Sequence, residues 1–247
     1  MGVALDMTGR VVLVTGGARG VGRGIADVFA AAGGTVVICG RNEPTESPFE
    51  FVACDVREPD QVNAMVAAIA SKHKRLDVAI NNAGGSPAAD AATASPRFTD
   101  KVIGLNLMGA IHVSQAVNNL MQDQADGGAI VNIGSVSALR PSPGAAAYAA
   151  AKGGLVSLTT TLAVEWAPKV RVNMVTGGII ATEQSELFYG DESRQAAIAG
   201  TIPAGRFGTP TDVANACLFL ASPLASYVSG ANLVVHGGGE PPRYLDT

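Results

Sequence analysis

Short apolar runs alternate along the chain with stretches whose apolar positions recur at helical spacing. Val11 to Val14 is a β-branched run bounded by Thr15-Gly16-Gly17, and from Val21 onward Ile25, Val28 and Phe29 share one face, which predicts strand, glycine turn and helix. Gly33-Gly34 ends that helix, and Thr35 to Cys39 predicts a second buried strand. Phe49 to Cys54 predicts a third. From Pro59 onward, Val62, Met65, Val66 and Ile69 keep the spacing of an amphipathic helix. Leu76 to Ile80 predicts a fourth strand, ending in Asn81-Asn82-Ala83-Gly84. A long helix over Phe98 to Met121, a strand over Ala129 to Ile133 and a helix carrying Tyr148 to Trp166, closed by Pro168, follow in order. Val170 to Val175, Thr209 to Leu220 and Ala231 to Val235 complete the pattern as strand, helix and strand. Such alternation predicts the α/β class: a doubly wound parallel sheet with helices on both faces, forming one domain over 1–247.

From Thr182 to Arg206 the pattern breaks into mixed polar and apolar residues, among them Leu187, Phe188, Tyr189, Ile198 and Ile202. A long irregular segment inside a compact domain is more often functional than idle, so 182–206 is expected to be a lid on the substrate side.

Composition narrows the function. With 47% hydrophobic and 15% charged residues in 247, the chain is long enough to bury a substantial core. A net charge of -4 gives no general reason to expect nucleic acid or an anionic membrane as partner. Asp6 stands where a signal peptide needs apolar residues and no run reaches the length of a membrane span, so a soluble cytoplasmic protein is expected. Cys39, Cys54 and Cys217 are scattered in apolar surroundings and read as buried thiols in a reducing compartment. His73 and His112 stand on helices without metal-ligand spacing, which favours surface or core roles.

The chemistry concentrates between Asn132 and Lys152. Ser135 follows a buried strand, and open α/β sheets bind ligands at the carboxyl ends of their strands. Tyr148 and Lys152 are four apart and share a helix face. A free phenol, with pKa about 10, holds its proton too tightly for ready exchange at neutral pH. A lysine cation about 4 Å away offers about 4 kcal/mol at an effective dielectric near 20, nearly enough to lower that pKa by two to three units. Ser135 would hydrogen-bond a substrate oxygen while Tyr148 gives or takes its proton.

A second group of residues points to a phosphate-bearing cofactor. Gly16, Gly20 and Gly22 lie between the first strand and first helix, where glycines let backbone approach a pyrophosphate at a helix N-terminus. After the second strand, a cofactor with a free 2'-hydroxyl calls for an acidic residue. The chain has Cys39-Gly40-Arg41-Asn42 instead. Arg41, with Arg19 in the glycine loop, suits a 2'-phosphate and favours NADP(H) over NAD(H).

TGGARGVG at Thr15 to Gly22, Cys54-Asp55-Val56, NNAG at Asn81 to Gly84, and Ser135 with Tyr148 and Lys152 together resemble the classical short-chain dehydrogenases/reductases, from about Gly9 to Gly238. The resemblance implies a Rossmann-like oxidoreductase moving a hydride between nicotinamide and a carbonyl or secondary alcohol. It makes Tyr148 the general acid/base, Ser135 the orienter of the carbonyl, and Lys152 the residue that holds the nicotinamide ribose and lowers the tyrosine pKa. Asn106 matches an asparagine whose backbone positions a water in the proton relay. Val21 falls with the glycine loop, Asp55 and Val56 with the adenine contacts, Asn82, Ala83 and Gly84 beside the cofactor ribose, and Ile180 and Thr182 with the nicotinamide carboxamide. The resemblance also implies a homotetramer or homodimer, with the helices around Asn106 and Leu155 packing across a two-fold axis.

The chain departs from that pattern in places. Gly177-Gly178 stands for the usual Pro-Gly after the sixth strand, which predicts a looser backbone there. Only NEPTESP separates Arg41 from Phe49 where a helix is common, so one flank of the sheet should be less covered and the adenosine pocket more open. His236 replaces an aspartate near the C-terminus and is read as structural. Asp123 and Asp126 flank the Ser135 strand where relatives that serve acidic carrier proteins tend to be basic, which argues against such a substrate; a solvated loop is the other reading. The substrate is a small carbonyl or alcohol whose class the residues leave open: steroid, acyl thioester, polyol or small ketone. Alternatives are an NAD(H)-dependent enzyme of the same type, a regulator that binds NADP(H) without turnover, and an oligomeric scaffold with a vestigial pocket.

Overall fold

The computed structural model describes residues 5–239, so the predicted domain is seen without 1–4 and 240–247. One seven-stranded sheet runs in the order β3-β2-β1-β4-β5-β6-β7. The strands are β1 (Val11–Thr15), β2 (Thr35–Gly40), β3 (Glu50–Ala53), β4 (Val78–Asn81), β5 (Gly128–Ser135), β6 (Val170–Gly177) and β7 (Asn232–Val235), all paired in parallel. The inner strands are apolar on both faces because both faces are covered. Val12 and Val14 face a layer made by α1 (Gly20–Ala31) and α8 (Pro210–Ala221). Val11 and Leu13 face the other, built from α2 (Pro59–His73), α4 (Gly109–Asp123) and α5 (Ala146–Glu165). The chain leaves β1 toward β2 on one side and returns to β4 on the other. That reversal opens a crevice at the carboxyl ends of β1 and β4.

The long helix expected over Phe98 to Met121 is divided. It consists of α3 (Pro96–Ile103), a π-helical turn over Gly104–Met108, and α4. The wide turn surrounds Asn106, whose side chain bonds inward instead of lying along the helix surface. The 182–206 segment is likewise more regular than its sequence suggests, forming α6 (Ser185–Tyr189) and α7 (Glu192–Gly200). Elements this short give apolar periodicity too few turns to register. A local cap marks α7, where the Asp191 side chain accepts from the Arg194 N–H at 2.9 Å.

No helix separates β2 from β3, and β3 is a partly exposed edge strand. Part of that flank is covered by α1, where the Arg23 guanidinium lies 5.2 Å from the Phe49 ring centre. Gly177 is not loose: it pairs with Ser135 on one side and Val235 on the other, and Gly178 N–H donates to Val235 O at 2.9 Å. His236 packs directly on Gly178, where a Cβ would fall 2.7 Å from the histidine Cβ. Asp126 faces Arg10 and Arg75 at 3.2 and 3.5 Å, so part of its charge is met within the chain. Leu155 and Asn106 are each 1% exposed, so an interface on their helices has to use other positions, such as Met108 or Val164. Among the described residues no helix is long and apolar enough to cross a membrane.

Candidate active site

A cleft of about 1110 Å³ runs along the carboxyl ends of the strands, from Arg41 to Thr45 at one end to Tyr148 and Tyr189 at the other. All the predicted site residues except Asn106 line it. Its middle is the turn from β1 to α1. Gly16 and Gly20 have φ of +65° and +55°, values that favour glycine. A Cβ on Gly22 would lie 2.3 Å from the Gly16 carbonyl oxygen, so only glycine allows the turn to close this tightly. No side chain caps α1, and no acidic residue lies in its first turn, so its first N–H groups face the cleft with the helix dipole behind them.

Asn82 and Thr15 brace this turn. Asn82 Nδ2 donates to the Thr15 and Gly16 carbonyls at 2.8 and 3.2 Å, and Thr15 Oγ1 accepts from the Asn82 and Ala83 N–H groups at 3.0 Å each. Asn82 therefore holds the loop in place. Thr15 was not among the predicted residues; its role depends on a contact between β1 and β4, which are far apart in sequence. Thr182 reaches the same turn, since its Cγ2 is 3.7 Å from where a Gly20 Cβ would be. Ile180 is held by a bridge to Gly208.

At the Arg41 end, the Asp55 carboxylate is gripped by Arg57, with Nε 2.9 and 3.2 Å from its two oxygens. That hydrogen bonding holds Asp55 below the usual carboxylate range against the opposing effect of burial. Val56 packs on Gly109, and its carbonyl oxygen lies 3.2 Å from His112 Nδ1, giving His112 a structural partner. His73 in turn lies 2.9 Å from Glu50. Arg19 and Arg41 border the cleft, as does Glu43.

The end that carries Tyr148 is built from β5, α5 and the π turn. Ser135 ends β5, and its Oγ accepts from Ser137 N–H at 3.2 Å, which leaves its own proton to donate. Its hydroxyl neighbours Tyr148 and acts to lower the phenol pKa. Lys152 is buried, and its Nζ donates to the Ile133 carbonyl at 2.8 Å. Burial lowers its pKa from 10.5 to about 8. The ammonium lies 5.7 Å from the Tyr148 ring centre. Burial is the largest influence on the phenol and raises its pKa; Ser135 opposes this and the neighbouring Tyr189 adds to it. The expected depression of the Tyr148 pKa by Lys152 is therefore not the state of the free chain.

Asn106 clamps the other wall. Its Oδ1 accepts from Gly85 N–H at 2.8 Å, while Nδ2 donates to Gly85 O and Val102 O at 2.9 Å each. The position of a Cβ on Gly84 would be 2.7 Å from Asn106 Oδ1 and 3.3 Å from Lys152 Nζ, so Gly84 lets the clamp and the ammonium meet. Tyr189, on α6, approaches Phe207 edge-on at 5.3 Å and borders the cleft. Val136 and Leu139 line a separate cavity of about 250 Å³ with Ile179, Ile202 and His236.

Residues 16–240 match the family described as enoyl-(acyl carrier protein) reductase, and many dehydrogenases and reductases align along the same length. The chain belongs to the short-chain dehydrogenase/reductase family. An uncharacterized short-chain type dehydrogenase/reductase of Sinorhizobium fredii is 38% identical over 93% of this chain, which spans only 43% of that longer relative. A 3-oxoacyl-[acyl-carrier-protein] reductase of Chlamydia muridarum is 38% identical over 94% of this chain and 98% of its own. Among solved structures, the aldohexose dehydrogenase of Thermoplasma acidophilum superposes with a TM-score of 0.89 at 34% identity, covering 96% of both chains. Membership makes this short-chain dehydrogenase/reductase an oxidoreductase with a nicotinamide cofactor and a small-molecule substrate.

Proposed function

We propose that the chain is an NADP(H)-dependent oxidoreductase acting on a carbonyl or secondary alcohol, with Tyr148 as its general acid/base. The observation that carries this reading is that Ser135, Tyr148 and Lys152 share one cleft with the glycine turn. A dinucleotide fits the residues present, because Gly22 leaves no room for a Cβ and the Lys152 ammonium is buried beside Gly84 with one protein acceptor. The α1 N-terminus would receive the pyrophosphate, Lys152 a ribose hydroxyl, and Arg19 and Arg41 a 2'-phosphate. Asp55 and Val56 would border the adenine, and Asn82, Ala83, Gly84, Ile180 and Thr182 the nicotinamide side. When bound, the nicotinamide supplies or accepts the hydride.

Ser135 donates a hydrogen bond to the substrate oxygen and holds it beside Tyr148. Tyr148 gives its proton to an oxygen that gains charge in the reducing direction and takes one in the oxidising direction. Asn106 keeps Gly84 and Gly85 in place around Lys152. Tyr189 and Phe188 limit water at the substrate end.

A second reading, preference for NAD(H), is favoured by Glu43, which borders the cleft near Arg41 and could accept from a free 2'-hydroxyl. Self-association would draw on exposed apolar side chains such as Val164 and Tyr227, and a cytoplasmic location accords with the three free thiols. The discriminating experiment is a spectrophotometric screen of acyl thioesters, sugars, steroids and small ketones with NADPH and NADH side by side. Faster reduction with NADPH is the expected result. Equal or better rates with NADH overturn the cofactor assignment, and cofactor binding without turnover of any carbonyl overturns the enzyme reading.

A further inference from the structure

Two cysteines meet under the adenosine end of the cleft. Cys39, on β2, stands in register with Val52 of β3; Cys54 follows β3 directly, its N–H donating to Gly40 O at 2.8 Å. Side chains alternate along a strand, so Cys54 and Val52 point to the same face, and both join Cys39 in one apolar cluster. The two thiols lie close enough for each to shift the other's titration. They are 1% and 2% exposed, yet both line the cleft wall. Cys39 pulls the Cys54 thiol below its ordinary value; the same contact and burial hold Cys39 well above. Cys217 is different: it lies in α8 in the opposite layer, wholly buried, with its pKa pushed up by burial.

We propose that Cys39 and Cys54 form a dithiol site, reached by peroxides and other small thiol oxidants through the cleft, and that its conversion to a disulfide weakens dinucleotide binding. The second half rests on the dinucleotide reading above. The Cys54 thiolate attacks one peroxide oxygen, the O–O bond breaks, and one water leaves, giving a sulfenic acid on Cys54. The Cys39 sulfur then attacks that sulfur; the S–O bond breaks and a second water carries away the Cys39 proton. In balance, two thiols lose two electrons and two protons, and one peroxide becomes two waters. A sulfur–sulfur bond of about 2.05 Å is much shorter than contact between thiols, so closure must draw Cys54 toward β2. Asp55 is the next residue and would move with it, taking its Arg57 partner from the adenosine wall.

The test treats the reduced, purified chain with hydrogen peroxide, with and without saturating NADPH, then alkylates it after denaturation and measures mass. The expected product keeps one alkylatable thiol, loses two hydrogen atoms, and yields a peptide joining Cys39 to Cys54. Its Kd for NADPH should rise about tenfold and return with dithiothreitol, and prior NADPH should slow the bridge. Cys54→Ser and Cys39→Ser should each bind NADPH with an affinity that peroxide does not change. Three alkylatable thiols after peroxide, or a bridge to Cys217, overturn the site; a Cys39–Cys54 bridge with unchanged NADPH affinity overturns its consequence. Mass reads the bridge independently of activity, so a chain that bridges but binds neither nucleotide even when reduced counts against the dinucleotide reading alone.

Discussion

The two ends of the cleft are made in opposite ways. At the Tyr148 end, Lys152 and Asn106 are buried and tied to backbone, Lys152 to Ile133 O and Asn106 to Gly85 and Val102, and the partly buried Ser135 accepts from Ser137 N–H. At the adenosine end, Arg41, Asn42 and Glu43 are exposed on a short link that replaces a helix, beside an edge strand. Proton transfer depends on sub-ångström placement, which packing and buried hydrogen bonds supply. Choosing between a 2'-phosphate and a 2'-hydroxyl depends on charge, which a solvated link carries without strain. The chemistry is therefore expected to be brittle to substitution and the cofactor preference easy to move.

The largest effect that tests this contrast is on turnover. Tyr148→Phe is expected to lower kcat about a thousandfold, read by steady-state reduction of any substrate found in the screen; near-normal turnover would remove the tyrosine from the mechanism. Asn106→Ala comes next. It leaves the Gly85 N–H and carbonyl without their partner and is expected to lower unfolding free energy by about 2 kcal/mol, measured by denaturant titration, with slower turnover for both nucleotides. An unchanged stability would show that the clamp is not what holds this wall.

At the other end, Arg41→Ala is expected to raise KM for NADPH about tenfold while leaving KM for NADH and both kcat values near those of the parent. Equal losses for both nucleotides would mean that Arg41 acts on the fold and not on the phosphate. The smallest effect is in pH. Lys152 carries its charge below about 8 and loses it as pH rises through that value, so NADPH binding should weaken modestly across that window. Lys152→Met should bind more weakly throughout and show no such inflection.

Much of this was legible in the sequence because it is local. The β-branched runs gave the strands, the glycine turn carried its own positive φ requirement, and the i, i+4 spacing of Tyr148 and Lys152 placed them on one helix. What escaped depends on contacts between segments far apart. Arg57 holds Asp55 from two residues away, but its significance comes from the cleft both border. Nothing in GLNLMG announces a π turn; it surrounds Asn106, whose partner Gly85 lies 21 residues away. Spacing likewise placed Tyr148 and Lys152 on one helix face but carried no sign of the burial that raises the phenol. The Cys39–Cys54 contact likewise needs the β2–β3 register before two ordinary buried thiols become a pair.

The central claim is that the two ends are separable, with chemistry at one and nucleotide recognition at the other. The most direct measurement is the Kd of the Tyr148→Phe protein for NADPH, by fluorescence or calorimetric titration beside the parent chain. A value within about threefold of the parent, in a protein that no longer turns over, is the expected result. A loss of NADPH binding comparable to the loss of turnover would contradict it.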